Sequence, residues 1–288
     1  MSSIIRKLGQ QEQLNFLLTN RIPRRYLTIL MGTISRIKSP LLTKAILALW
    51  RRFADDLNLE ESKQQQFESL HDCFIRELKP GARSIDMAND LIVSPCDAII
   101  GEFGSIKHMQ AYQAKGYPYE LAELIPDRNI RNKYRNGRYI TLRLKSTMYH
   151  RFHAPVDCHV NQVNYISGDT WNVNPIALKR IEALYCKNER AILDLQLTQQ
   201  NKAITLVPVA AILVASMKFH CLEQTLDLKY KGANKLSCSA NYSKGDEMGY
   251  FQHGSTIILF ASENYQFLPS LRVGQTIRMG QALLKDIQ

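Results

Sequence analysis

Much of what would classify this chain quickly is missing from it. Its six cysteines (Cys73, Cys96, Cys158, Cys186, Cys221 and Cys238) never fall into CxxC spacing, so neither a redox pair nor a zinc-knuckle pattern is present. The N-terminal residues lack an uninterrupted apolar h-region, so no signal peptide is expected and the thiols are expected to be reduced. No apolar run approaches the roughly 20 residues of a membrane-spanning helix, because Arg36, Lys38 and Pro40 break the longest one. With 14 glycines and 10 prolines in 288 residues, no low-complexity tract or solenoid repeat stands out. A disulfide scaffold, a multi-span membrane protein and a repeat array are thereby set aside. What remains is a globular chain long enough to bury one sizeable core, with room for an appended segment.

Acidic residues are nearly absent from one end. Residues 1–54 hold ten Lys or Arg against the single acid Glu12, a net +9 that leaves only +2 for the rest of a +11 chain. A basic end suits nucleic acid or an anionic membrane. The apolar residues among the charges favour the membrane: Leu17, Tyr26, Leu27, Ile29, Leu30, Ile34, Ile37, Leu41, Leu42, Ile46, Leu47 and Trp50 lie among the cations, as in helices that rest in the headgroup plane. Each cation near an anionic leaflet contributes about 1 kcal/mol. Plain packing of these helices on the main domain, with a solvated basic face, is the less specific alternative.

The texture changes along the chain. Pro23 and Pro40 divide the first sixty residues into short helical pieces. Leu42–Ala54, Glu61–Leu78 and Tyr117–Ile125 read as helices. From residue 90 onward, β-branched runs alternate with turn residues: 91–93, 99–100, 139–144, 160–166, 191–197, 204–214, 257–260 and 276–284. The expected architecture is α+β: a helical, membrane-facing segment over residues 1–60, then a mostly antiparallel, β-rich catalytic domain over residues 61–288.

Three short strings carry the chemistry. Gly254-Ser255-Thr256 precedes the apolar run Ile257–Phe260, and taken alone is an ordinary turn before a strand. Tyr149-His150-Arg151-Phe152-His153-Ala154-Pro155 offers two imidazoles, which with His159 also fit a zinc site. Ser94-Pro95-Cys96-Asp97 reads by itself as a turn. In chain order, however, these strings, together with Phe74–Arg83, Lys115–Tyr119, Val173–Pro175, Asn188–Arg190 and Glu247-Met248-Gly249-Tyr250-Phe251, resemble the phosphatidylserine decarboxylase proenzymes of the bacterial, pyruvoyl-dependent type.

That resemblance implies a good deal. The chain would cut itself between Gly254 and Ser255 into a β chain, residues 1–254, and an α chain, residues 255–288. Ser255 would become a covalent pyruvoyl cofactor. His153 would be the base that activates Ser255, oriented by Asp97, and His150 the proton donor during decarboxylation. Phosphatidylserine would form a Schiff base with the pyruvoyl group, lose carbon dioxide and leave as phosphatidylethanolamine, with no metal or pyridoxal phosphate. The implied partners are the lipid, an anionic membrane surface, the two chains for each other and a homodimer of the cleaved pair; no nucleic acid is implied. The implied place is the cytoplasmic face of the cell membrane, bound peripherally. Two rivals accompany this reading, an uncleaved, inactive membrane-binding relative and a pyruvoyl decarboxylase of a small amino acid. The sequence departs from the family's pattern at His253, Cys96, Ala98, Met148, Cys158, Ala210 and Ala215, none of them a group given a catalytic role.

Overall fold

Apolar runs without polar alternation mark strands that are covered on both faces, and two such runs form the middle of the molecule. The computed structural model describes residues 13, 16, 17, 20–52, 54, 57–198, 201–213, 216–252 and 255–287. Numbered along the chain, its strands are β1 (Leu91–Val93), β2 (Ala98–Ser105), β3 (Gln110–Ala114), β4 (Tyr117–Glu120), β5 (Arg138–Leu144), β6 (Arg151–His153), β7 (Cys158–Ile166), β8 (Arg190–Leu195), β9 (Ile204–Ala210), β10 (Ser216–Phe219), β11 (Thr225–Asp227), β12 (Lys235–Tyr242), β13 (Glu247–Phe251), β14 (Ser255–Ala261), β15 (Tyr265–Phe267), β16 (Thr276–Ile277) and β17 (Ala282–Asp286).

Eight of these form one antiparallel sheet in the order β12-β7-β8-β9-β14-β5-β2-β16. Every residue of β9 and β14 is buried. Side chains alternate across a strand, so Ile257, Leu259 and Ala261 enter one core cluster while Ile258 and Phe260 enter a second on the opposite face. A four-stranded sheet, β11-β10-β13-β6, and a three-stranded one, β1-β17-β15, flank the large sheet.

The N-terminal helices are α1 (Arg24–Ile34) and α2 (Pro40–Arg51). Polar contacts seat α1. Arg24 pairs with Asp169 at 2.6 Å and its guanidinium stacks 3.6 Å over the Trp171 ring, so a cation–π contact joins an ion pair. Further along, Thr28 Oγ1 accepts from the Leu213 amide, and Arg36 donates to Gln252 Oε1 at 2.8 Å. Leu47 of α2 packs with Leu57, Leu59, Phe67 and Cys73 in a small third cluster.

The α+β architecture with a β-rich C-terminal part is the one expected from sequence. Local expectations differ in places. The helix expected over Glu61–Leu78 is instead a 3₁₀ turn, Leu59–Glu61, then a loop and the single-turn helix α3 (Leu70–Phe74). Ser62 and Leu78 bridge each other and Lys63 N donates to Glu77 O, so the segment folds back on itself. Ser69 then restarts the helix with a capping box to Asp72. The helix expected over Tyr117–Ile125 begins as β4 and becomes helical only over Leu121–Leu124. The 276–284 run divides at Gly280, whose φ of +87° turns the chain. The 204–214 run ends as a strand at Ala210.

Gly249 offers a test of how tightly the four-stranded sheet is built. A Cβ there would lie 2.1 Å from the Lys218 carbonyl oxygen and 2.8 Å from the Phe152 ring. Gly249→Ala is expected to lower the unfolding free energy by about 1–3 kcal/mol in urea titrations. Gly32→Ala, in α1 with open space around it, is expected to be neutral or stabilising by up to about 1 kcal/mol. Equal effects from the two would contradict the packing described here.

Candidate active site

The short strand β6 carries the histidine motif, and three neighbours hold it. It pairs with β13, through Glu247 opposite His153 and Tyr250 opposite Arg151. The His153 amide donates to the Pro95 carbonyl at 2.7 Å, drawing in the loop that ends at Asp97. Arg76, itself buried, donates to the Thr147 carbonyl at 2.9 Å and supports the approach to the motif. Residues far apart in sequence, 76, 95, 147–153 and 247–250, thus meet in one place.

His153 is buried and both ring nitrogens are engaged. Nδ1 lies 2.8 Å from the Gly245 carbonyl and Nε2 lies 3.0 Å from the Tyr149 hydroxyl. A carbonyl oxygen only accepts, so the network assigns the proton to Nδ1 and leaves the Nε2 lone pair as the basic site. Tyr149 then donates its O–H to Nε2, and burial pushes its own pKa up, keeping the hydroxyl protonated. Burial lowers the His153 pKa below the ordinary 6.5, against the opposing effects of the Gly245 carbonyl and Glu247. The result is a neutral, oriented imidazole with one defined lone pair, which is what a general base requires. Gly245 holds a φ of +92°, and a Cβ there would strike Ile85 Cδ1 at 2.3 Å, so glycine is what allows this carbonyl to reach the ring.

Asp97 does not orient His153 in this arrangement, contrary to the expectation. Its Oδ1 accepts from Arg83 Nε and from the Met279 amide, both at 2.9 Å, and its Oδ2 meets Arg83 Nη2. Arg83 also binds Glu61 at 2.7 Å. Burial works against the Arg83 charge, but the hydrogen bonds to Asp97 and Glu61 outweigh it and raise the pKa. A fork held by two carboxylates is a strong attachment, and the backbone carbonyl of Gly245 occupies the position next to Nδ1 instead.

Ser255 opens β14 at the centre of the large sheet, opposite Leu144 of β5 and Ala210 of β9. It is fully buried, and its Oγ has no hydrogen-bond partner among the described residues. Buried hydroxyls are normally paired. Phe251, whose amide donates to the His150 carbonyl at 3.0 Å, is only four residues upstream. Four Cα steps cover no more than about 15 Å, so β13 delivers Ser255 close to the histidine strand. No hydrogen bond joins Ser255 to His153. His253 and Gly254, the latter half of the expected cleavage site, lie outside the described residues. His150 is fully buried with its ring edge-on to Phe74, 5.7 Å between centroids. His159, the remaining member of the zinc alternative, sits on β7 with Nδ1 2.8 Å from Asn241 Oδ1.

Two groups here were not singled out by sequence reasoning. Tyr149 stood inside the motif string, and its spacing of four from His153 would have been a signal only with the turn between them known. The Gly245 carbonyl leaves no side-chain trace at all.

The tautomer argument makes a prediction. A hydrogen bond to the neutral ring favours the neutral form, so in Tyr149→Phe the His153 resonance should titrate at higher pH than in wild type, as followed by NMR. The folded pKa lies below the unfolded one. His153 therefore adds stability that is complete above about pH 6.5 and lost as the pH falls below it. His153→Gln should remove that part of the acid sensitivity.

Comparison with known proteins points to one family. The family model described as phosphatidylserine decarboxylase matches residues 70–285. A phosphatidylserine decarboxylase proenzyme of Brevibacillus brevis is 31% identical over 270 residues, covering 92% of this chain and 95% of the relative. The proenzyme so named in Vibrio vulnificus is 33% identical over 277 residues, with 90% and 94% covered. That of Psychromonas ingrahamii is 29% identical over 287 residues, with 96% and 99% covered. On the family match, the length of these alignments and the motifs gathered around His153, the chain belongs to the phosphatidylserine decarboxylase family.

Proposed function

We propose that this chain is a self-processing phosphatidylserine decarboxylase that works on the cytoplasmic face of the cell membrane and supplies phosphatidylethanolamine in phospholipid biosynthesis. The observation that carries the proposal is Ser255, a buried hydroxyl with no partner among the described residues, at the head of the central strand. It lies four residues beyond Phe251, which bonds the strand that carries the neutral, oriented His153.

The residues fit the formation of a pyruvoyl group at position 255. Ser255 Oγ attacks the carbonyl carbon of Gly254, and its proton passes to the Nε2 lone pair of His153, which the Tyr149 hydroxyl must first release. The Gly254–Ser255 amide bond breaks as the ester forms, and the freed nitrogen takes the proton. Loss of the Ser255 Cα proton then expels the Gly254 carboxylate from Cβ, leaving a dehydroalanine that hydrolyses with release of ammonia. His153 is suited to this because a protonated imidazole could not accept from Oγ. Asp97, held by Arg83 and Met279, keeps its carboxylate near the motif, so its assigned part in orienting the base requires Arg83 to release it. When present, the pyruvoyl group supplies an electron sink for loss of carbon dioxide from a bound amino acid headgroup. His150, buried against Phe74, is the proposed proton donor to the substrate carbon.

Membrane docking is assigned to residues 1–60 and chemistry to residues 61–288. Supporting this, Tyr26, Leu30, Ile34, Ile37, Leu41, Leu42 and Leu49 are exposed on or beside α1 and α2, amid the cluster of basic residues. Exposed apolar groups beside cations suit an anionic bilayer surface. No described helix is long and apolar enough to cross a membrane, which fits a peripheral attachment.

Intact mass spectrometry of the wild type beside Ser255→Ala tests the proposal. Expected are two wild-type chains meeting at 254/255, the 34-residue one blocked by a pyruvoyl group, and an uncut variant. They should co-migrate under native conditions, since β14 is paired on both sides. An uncut, folded wild type would exclude self-processing.

A further inference from the structure

Between α1 and the β10–β11 hairpin is a cavity of about 80 Å³, lined by residues that include Thr33, Arg36, Ser216, Asp227, Lys229 and Gln252. Three of its features point to a ligand. Its floor is Gln252, three residues before Ser255 and nearly buried, whose Oε1 accepts from both Arg36 (2.8 Å) and Ser216 Oγ (2.8 Å). Its charge is not balanced: the two cations Arg36 and Lys229 face the one carboxylate Asp227. And Arg36, the better anion ligand of the two, is bonded to a neutral amide. An anionic oxygen pair would give the guanidinium fork an ion pair and a bidentate grip that a single amide oxygen does not.

The position of the mouth indicates which anion. At 3.6 residues per turn, Thr28, which is buried and bonded to Leu213, marks the face of α1 against the domain. Tyr26, Leu30 and Ile34 form an exposed apolar stripe on the far side. Ile29, Gly32 and Thr33, which line the cavity, lie between the two. A lipid whose tails lie along the stripe therefore presents its headgroup to the cavity.

We infer that this cavity is the subsite for the phosphodiester of the lipid, with Arg36 leaving Gln252 to bind it and Lys229 adding charge at the mouth; this rests on the reading of phosphatidylserine as substrate. Of the two anionic groups in that headgroup, the phosphodiester is the appropriate one. It keeps its charge throughout the reaction. A cation clamped on the carboxylate would stabilise the ground state more than the transition state, in which that charge is being lost. In the phosphoserine headgroup an ester oxygen and one methylene separate phosphorus from the amine-bearing carbon. Gln252 lies within about 11 Å of Ser255, three Cα steps along the chain, which the headgroup and the length of the Arg36 side chain span together.

The test titrates the purified full chain with sn-glycero-3-phosphoserine, which has the headgroup and no tails, by calorimetry. Arg36→Gln should weaken binding at least about tenfold, the usual scale for a hydrogen bond to a charged group, and Arg36→Lys should restore part of it. Lys229→Gln, at an exposed position, should weaken binding less and serves if Arg36→Gln does not fold. In mixed micelles of phosphatidylserine, Arg36→Gln should raise KM with kcat held within about twofold, the pattern of a lost uniform binding contact. Unchanged affinity in both variants overturns the inference. So does inorganic phosphate binding as tightly as glycerophosphoserine, which makes this a free-phosphate site. Loss of vesicle binding with unchanged glycerophosphoserine affinity also overturns it, since the cations then serve the bilayer surface. The titration needs neither cleavage nor turnover, so an uncut Ser255 and an absent headgroup site are read separately.

Discussion

Strand β14 is paired along its whole length, to β5 on one side and β9 on the other, and both its faces are covered by core. Most of the molecule's layout follows from that seating. The strand cannot slip by one residue without exchanging Ile257 and Leu259 with Ile258 and Phe260 between two differently shaped clusters. Ser255 is consequently fixed in depth and in facing. The preceding strand, β13, must lie within a few residues of it, and β13 in turn pairs with the strand that carries His153. A reactive hydroxyl at the head of a fixed strand and a base on an adjoining short sheet are one geometric arrangement.

Electrostatics divides the site into two parts of opposite character. Around His153 there is little charge in direct contact: a carbonyl, a hydroxyl and a buried environment that keeps the ring neutral. Around Asp97 there is a closed ion cluster with Arg83 and Glu61. A carboxylate in direct contact with the imidazole would raise its pKa; committing Asp97 to Arg83 keeps the base unprotonated. The same arrangement ties the 94–97 loop to Met279, in the last ten residues of the chain.

How much of this was legible in the sequence varied with the length scale of the cause. The buried strands β9 and β14 announced themselves as apolar runs, because a strand covered on both faces needs no partner to be recognised. The edge strand β12, whose residues over Lys235–Tyr242 alternate between exposed and at most half-buried apart from buried Leu236, was missed; its apolar content is too thin to stand out from loop. The helix expected over 61–78 failed because pairing between Ser62 and Leu78, sixteen residues apart, is invisible to a local pattern. At the site, short strings pointed to Asp97, His150, His153 and Ser255 as candidates. Which of them touch was not readable there. The Gly245 carbonyl that holds Nδ1 depends on a left-handed glycine and on how β6 meets the turn before β13.

The contribution of the chain after residue 254 to two of the sheets has a consequence for its lifetime. That stretch supplies the central strand of the large sheet, its edge strand β16, and two of the three strands in the β1-β17-β15 sheet. By itself it is a set of single strands with no partner for any but β15 and β17. If the peptide bond before Ser255 is cut, as proposed, the folding instructions are divided between two molecules, and neither can retrace the route that built the sheet. The mature protein would then persist because its opening is slow rather than because its unfolded state is uphill. Each molecule would fold once, and its working life would be set by a rate.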